Sequence, residues 1–267
     1  MKYSLAPMEG ITGYVYRNVH HSFFPEGMSR YYTPFLNANQ TLTFTNKEKK
    51  DVLPENNAAL RAAGIEVIPQ ILTRRAEEFV WAVKELTAAG YEEVNLNRGC
   101  PAPTVVNKGK GAGFLKDPDD LDEFLNAVFE ALHDAEVRIS LKTRIGMYAA
   151  EEMDELMKVY NRYPVSELII HPRVRQDFYR NHADLEAFGR AFAQSRIPVV
   201  YNGDITTPES ACALTERFPQ LQAVMRESRD QGFASLHGLR RALDEEDEEK
   251  DRRREEGSRW RRLVSAT

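Results

Sequence analysis

Short apolar runs rich in valine and isoleucine recur along the chain, each separated from the next by a longer stretch of helical character. The runs fall at Tyr3–Pro7, Arg30–Phe35, Glu66–Ile71, Glu93–Asn97, Val137–Thr143, Glu167–His171, Pro198–Asn202 and Gln222–Met225. Several are apolar nearly throughout instead of alternating, as expected of parallel strands covered on both faces. Between them, Ala76–Ala89 places Phe79, Val80, Val83 and Leu86 on one helical face, and Asp119–His133 does the same with Leu121, Phe124, Leu125, Val128 and Leu132. Gly90 follows the first of these as a natural stop. Eight strands with intervening helices predict an α/β fold, a (β/α)8 TIM barrel. An open doubly wound sheet is the competing arrangement, but no GxGxxG follows the first strand.

In a barrel, function sits on the loops after the C-terminal ends of the strands. Polar or ionisable groups gather at those ends: Pro7-Met8-Glu9, Gln70, Asn97-Arg98-Gly99-Cys100, Lys142-Thr143-Arg144, His171-Pro172-Arg173 and Asn202-Gly203-Asp204. A lone cysteine in a barrel is commonly a small apolar filler. Cys100 instead occupies a Gly-Cys-Pro turn just after a strand, which makes it the candidate catalytic residue, whereas Cys212 lies on the helical pattern Pro208–Phe218 and reads as packing. Beyond Cys100, the glycine-rich loop 107–113 carries Lys108 and Lys110 without a GKS or GKT sequence. It reads either as a contact for RNA or cofactor or as a flexible exposed loop. Lys142 can stabilise negative charge on a reduced flavin or a phosphate, or pair with a carboxylate. His171 alone would read as hydrogen-bonded structure.

Composition narrows the classes. The 267 residues suit one large domain, and a net charge of −5 excludes a bulk polycation, so nucleic-acid contact requires a local basic patch. Two distant cysteines match neither a disulfide framework nor a zinc site, and no metal is expected. The N-terminal stretch lacks the apolar core of a signal peptide, and no run of about 18 apolar residues occurs. A cytoplasmic location, no membrane and no stable protein partner are the expectations. Residues 240–262 hold nine acidic and nine basic side chains, which predicts a solvated helix or disordered tail. The expected division is a barrel over 1–230 and a charged tail over 231–267.

LAPMEGITG, NLNRGCPAPTVVNKGKGAGFL, LKTRIGM, IIHPRVRQDFY and VVYNGDI occur in this order and together resemble the tRNA-dihydrouridine synthase family over residues 3–225. The resemblance implies FMN across the barrel mouth, NADPH as reductant and tRNA as partner. It assigns flavin contacts to Pro7, Met8, Gln70, Lys142, His171, Asn202, Gly203 and Asp204, and makes Cys100 the proton donor to C5 as hydride reaches C6. Asn97 would orient uracil or flavin, and Arg144, Arg173, Arg175, Lys108 and Lys110 would meet tRNA phosphates. Two departures stand out. Where the family carries a glycine-arginine phosphate-binding turn, this chain reads Arg226-Glu227-Ser228-Arg229-Asp230, and the charged tail has too few apolar residues for the family's C-terminal helical domain. A shifted reading frame would produce such a break. The competing functions are an FMN barrel oxidoreductase acting on a small molecule and a catalytically impaired RNA-binding remnant.

Overall fold

Each of the eight apolar runs forms a strand in the computed structural model, which describes residues 2–227. The strands are β1 (Lys2–Leu5), β2 (Arg30–Asn37), β3 (Glu66–Leu72), β4 (Glu93–Arg98), β5 (Arg138–Arg144), β6 (Glu167–His171), β7 (Val199–Tyr201) and β8 (Ala223–Arg226). They close in sequence order into a parallel barrel, with β8 returning to β1 in the register Lys2↔Ala223 through Leu5↔Arg226. The helices are α1 (Tyr14–Phe23), α2 (Asn46–Val52), α3 (Ala58–Ala62), α4 (Ala76–Ala88), α5 (Pro103–Val106), α6 (Pro118–Ala131), α7 (Glu152–Tyr160), α8 (Leu185–Gln194) and α9 (Pro208–Arg217). No described helix is long and apolar enough to cross a membrane. The charged stretch 240–262 and the expected tail domain lie outside the described residues.

Local chemistry explains the helix boundaries. Asp117 accepts the Asp119 N–H at 3.0 Å, Pro118 opens α6, and Leu121, Phe124, Leu125 and Val128 form its buried stripe. Gly90 ends α4 at φ +84°, where Tyr91 N–H closes back on the Leu86 carbonyl at 3.1 Å. Burial between barrel and helices supplies the main core, in which Leu96, Leu141, Leu168, Phe79, Leu125 and Phe188 are fully covered.

Inside the barrel, side chains alternate with a period of two and build layers. The floor is charged: Arg30 reaches Glu167 at 3.0 Å, and Glu93 is buried beside them. Above it sits a small apolar layer of Tyr32, Ile68, Ile169 and Val200. Gln70, His171 and Asn202 stand two residues beyond Ile68, Ile169 and Val200, and Asn97 and Lys142 two residues beyond the polar Asn95 and Ser140 of β4 and β5. The strand-end residues thus form the top interior layer, facing the loops.

Leu141 is fully buried between β5 and the helices, so Leu141→Ala should cost about 2–5 kcal/mol. A loss of that size in the unfolding free energy from urea titration, seen as a lower midpoint, is expected. An unchanged midpoint would mean the helical layer does not depend on this strand.

Candidate active site

A chain of buried side-chain hydrogen bonds crosses the barrel interior and ends at Cys100. Asn95 Nδ2 donates to Ser140 Oγ at 2.9 Å, Gln70 Nε2 donates to Asn95 Oδ1 at 2.8 Å, and Asn97 Nδ2 donates to Gln70 Oε1 at 2.7 Å. Asn97 Oδ1 then accepts the backbone N–H of both Gly99 and Cys100 at 3.0 Å. Each amide points in the only sense that satisfies the next one, so the ladder has one arrangement. Its effect is to cap the end of β4 and hold the Gly-Cys-Pro turn at a fixed height above the sheet. Asn97 is therefore a positioning residue for Cys100, and the ladder also engages both ends of the Gln70 amide. Sequence reading missed Asn95 and Ser140, whose only signal is a polar residue spaced by two from the strand end.

Cys100 is partly exposed at the mouth. Burial pushes its pKa up, opposed by an Ala102 backbone hydrogen bond and by the charges of Lys142 and Arg144. Burial prevails, and the group is a thiol at neutral pH. The lysine-bearing loop packs on the same turn. Ala112 N–H donates to the Cys100 carbonyl at 3.0 Å, and a Cβ on Gly111, at φ +56°, would meet that carbonyl at 2.8 Å. Only glycine fits there.

Four cationic or imidazole groups surround the mouth. Lys142 Nζ has no hydrogen bond or salt bridge to a described residue. Its pKa falls to about 8, chiefly through desolvation, with Glu227 acting in the opposite sense. His171 is held well below the ordinary imidazole value by burial and then by Arg144, Lys142 and Arg173. Arg173 Nη1 lies 2.9 Å from His171 Nε2, and a guanidinium can only donate, so the neutral ring carries its proton on Nδ1.

Arg144 and Arg173 depart from the expectation of free phosphate contacts. Arg144 is buried and donates to the carbonyls of Gly99 (3.0 Å), Val174 (3.0 Å) and Phe178 (2.6 Å). Arg173 is buried against Asp204, both carboxylate oxygens at 2.7 Å, and the Asn181 carbonyl at 2.9 Å. Loop carbonyls at the strand ends need donors, and these two arginines supply them. Lys108 is exposed, and Lys110 and Arg175 are half-buried.

Two adjoining cavities of about 220 and 140 Å3 share His171, Tyr179 and Glu227. The larger is lined by Pro7, Met8, Gln70, Asn97, Cys100 and Lys142 among others. Its donors, the Lys142 ammonium and a neutral imidazole N–H, fit the electron-rich polar edge of a flavin ring. The smaller is lined by Asn202, Gly203 and Asp204. Asn202 Nδ2 donates to the Met225 carbonyl at 3.0 Å, leaving its buried Oδ1 without a partner, suited to a hydroxyl. This cavity does not fit a phosphate as it stands: Arg173 is paired with Asp204, and Glu227 adds a carboxylate. Gly203, a flavin contact implied by the resemblance, is covered on its Cα side by Tyr201, whose hydroxyl a Cβ there would overlap. Residues 228–230 of the altered strand-eight turn lie outside the described residues.

The dihydrouridine synthase family profile matches residues 4–229. The chain belongs to that family. It is 30% identical over 213 residues to tRNA-dihydrouridine synthase B of Pseudomonas putida, covering 79% of this chain and 60% of that protein. It is 32% identical over 162 residues to a tRNA-dihydrouridine(16) synthase of Shigella flexneri, covering 60% of this chain and 51% of that protein. The chain thus spans little more than half the length of these family members. Among solved structures, a morphinone reductase superposes with a TM-score of 0.58 at 11% identity, covering 85% of this chain and 81% of that one. A chitinase from Pseudoalteromonas aurantia superposes at 0.53 with 11% identity, covering 88% and 96%. Likeness at this identity establishes the barrel alone.

Two measurements probe the site of this dihydrouridine synthase family member. In a Cys212→Ala background, which removes the exposed thiol, iodoacetamide alkylation of Cys100 should rise at a pH above the ordinary thiol midpoint. Lys142→Ala should move that midpoint higher still, because an opposing positive charge is gone. A midpoint at or below the ordinary value would show that cations outweigh burial. Asn97→Ala strands the Gln70 acceptor and two backbone donors, and should lower stability by about 1–3 kcal/mol in urea titration. Undiminished stability would mean water replaces the ladder at no cost.

Proposed function

We propose that the chain catalyses the flavin-dependent reduction of uridine to 5,6-dihydrouridine in tRNA, with NADPH as reductant. The observation that carries this reading is the placement of Cys100, whose pKa burial raises, on the wall of the cavity that also holds Lys142 and His171. Pro7, Met8, Gln70, Lys142 and His171 would hold the ring of FMN and Asn202 a hydroxyl of its side chain, whereas Gly203 and Asp204, covered by Tyr201 and paired with Arg173, would at most border it; the flavin when bound supplies the hydride for C6 of the uracil.

The rest falls to the chain's own groups. A uracil stacked inside RNA presents neither face of its C5–C6 bond, so the nucleotide must leave the stack and enter the mouth. The Cys100 turn, fixed by Asn97, sets the height of the thiol. The thiol gives its proton to C5, the two electrons of the C5–C6 π bond and the incoming hydride complete the two new C–H bonds, and a thiolate remains. Lys142 and Arg144 stabilise that thiolate until solvent reprotonates it. The neutral His171 Nδ1–H and the Lys142 ammonium steady negative charge without a proton being lost from the site.

Cys100→Ala tests the assignment. Flavin binding and its reduction by NADPH should be retained, since neither uses the thiol. Reoxidation of pre-reduced protein by a tRNA transcript should slow by about 100- to 10,000-fold in single-turnover kinetics. Unimpaired reoxidation in the alanine variant would remove Cys100 from the chemistry. No tRNA-driven reoxidation in the unmutated, flavin-loaded chain would instead favour an impaired RNA-binding protein or a reductase of small molecules.

A further inference from the structure

Arg98 is the last residue of β4, two positions before Cys100, and successive strand residues face opposite sides of the sheet. Asn97 faces the barrel interior, so Arg98 faces the helices. It is fully buried and makes no salt bridge to a described residue. Nη1 donates to the Thr73 carbonyl at 2.7 Å and to the Asn97 carbonyl at 3.4 Å, whereas Nε and Nη2 have no hydrogen-bond partner. The guanidinium lies instead over two aromatic rings, 4.0 Å from the centroid of Phe114 and 4.3 Å from that of Phe124. These rings meet edge to face at 5.3 Å.

A buried charge without a counter-charge is costly, and a methionine of similar length would occupy the same space without it. What the guanidinium adds is attachment at two points. Thr73 is itself tied to the start of α4: its hydroxyl donates to Glu78, and its oxygen accepts the Arg75 N–H at 3.1 Å. Phe114 belongs to the short helical segment Gly111–Lys116, and Phe124 to α6. The same segment carries Ala112, whose N–H holds the Cys100 carbonyl at 3.0 Å. Arg98 thus joins the loop after β3, the end of β4 and the segment that closes over the Cys100 turn. Asn97 grips that turn from inside the barrel, and the next residue grips it from outside. The charges that act on the Cys100 sulfur come from Lys142, Arg144 and Glu9, so Arg98 reaches the thiol through packing.

We propose that Arg98 is a positioning residue for Cys100, clamping the segment Gly111–Lys116 and the loop after β3 to the strand end so that the thiol keeps its place on the cavity wall. The consequence for turnover rests on the uridine-reductase reading above. Arg98→Met, in the Cys212→Ala background, tests the clamp. The pH midpoint of Cys100 alkylation by iodoacetamide should fall toward the ordinary thiol value, because a loosened turn lets water reach the sulfur. Loss of a nearby positive charge alone would move the midpoint up, so the sign of the shift separates position from charge. Reoxidation of pre-reduced flavin by a tRNA transcript should slow by about 10- to 100-fold, with reduction by NADPH retained. Arg98→Lys keeps a cation over the rings without the planar fork, and should recover part of both readouts. Should Arg98→Met fail to fold, Phe114→Leu decides: it leaves Arg98 in place, removes one ring, and should lower the midpoint in the same direction. An unmoved or raised midpoint in the folded variant, or reoxidation at the unmutated rate, would overturn the clamp. A lowered midpoint together with no tRNA-driven reoxidation by the unmutated chain would keep the clamp and remove the reductase reading.

Discussion

The interior of a closed barrel admits no water to repair an unpaired amide, and the ladder from Ser140 through Asn95 and Gln70 to Asn97 meets that demand. An unpartnered buried amide costs about 1–3 kcal/mol, comparable with the loss of a core methyl or two. The ladder spans β3, β4 and β5, so it holds where the register of those strands holds. Gln70 pairs opposite Asn95, and Asn95 opposite Ser140, in the sheet itself. A one-residue slip would turn these side chains into the apolar shell beneath the helices. Register, ladder and the position of Cys100 are therefore one constraint. The backbone of the Cys100 turn is fixed by the same groups that tie β3, β4 and β5 in register.

On this frame the electrostatics of the mouth divide into two kinds of cation. Arg144 and Arg173 lie inside the loops and spend their charge on carbonyls and Asp204, with Arg98 as a third example on the outer face. Arg98 Nη1 donates to the Thr73 carbonyl at 2.7 Å, its guanidinium lies 4.0 Å from the Phe114 ring centroid, and Nε and Nη2 have no partner. Desolvation lowers its pKa to about 9, still high enough to stay charged at neutral pH. Lys142 is the other kind, unpaired and aimed into the cavity. The contest at Cys100 follows from this division. Lys142 and Arg144 both act on the sulfur in favour of the thiolate, but desolvation by the cavity walls outweighs them, and the neutral acid wins.

The strands were legible because a buried parallel strand is an apolar run, and runs such as Leu168-Ile169-Ile170 have no helical alternative at that length. The strand-end residues were legible as a set, since the barrel rule says where to look. What each would do was less so. Arg144 and Arg173 read as open cations because a sequence shows the charge and not the carbonyls gathered by neighbouring loops. Asn97 read as a ligand contact because its bond to the following turn depends on the turn's shape. Asn95 and Ser140 were hidden within runs that score as strand regardless of one polar residue. Tyr179 stayed invisible until the loop after β6 folded it against His171, ring centroids 6.2 Å apart, with Phe178 at φ +51° beside it. Arg74 and Arg75 carried no signal in the sequence. Arg74 lies beside Gly109, nearly sixty ångströms of extended chain away if reckoned at about 3.3 Å for even half the intervening residues, yet adjacent in the fold.

The distribution of charge also separates the two tasks the proposed reaction imposes. Around Asn202 the described residues offer acceptors, Asp204 and Glu227, and the nearby arginine is already paired. A polyanion laid directly over this part of the mouth would meet carboxylates. The unpaired positive charge lies instead on the opposite rim, beside the Cys100 turn. The lysine-bearing loop of that rim packs on the Cys100 carbonyl, while on the Asn202 side the buried Oδ1 leaves an acceptor for a hydroxyl group of whatever occupies the cavity.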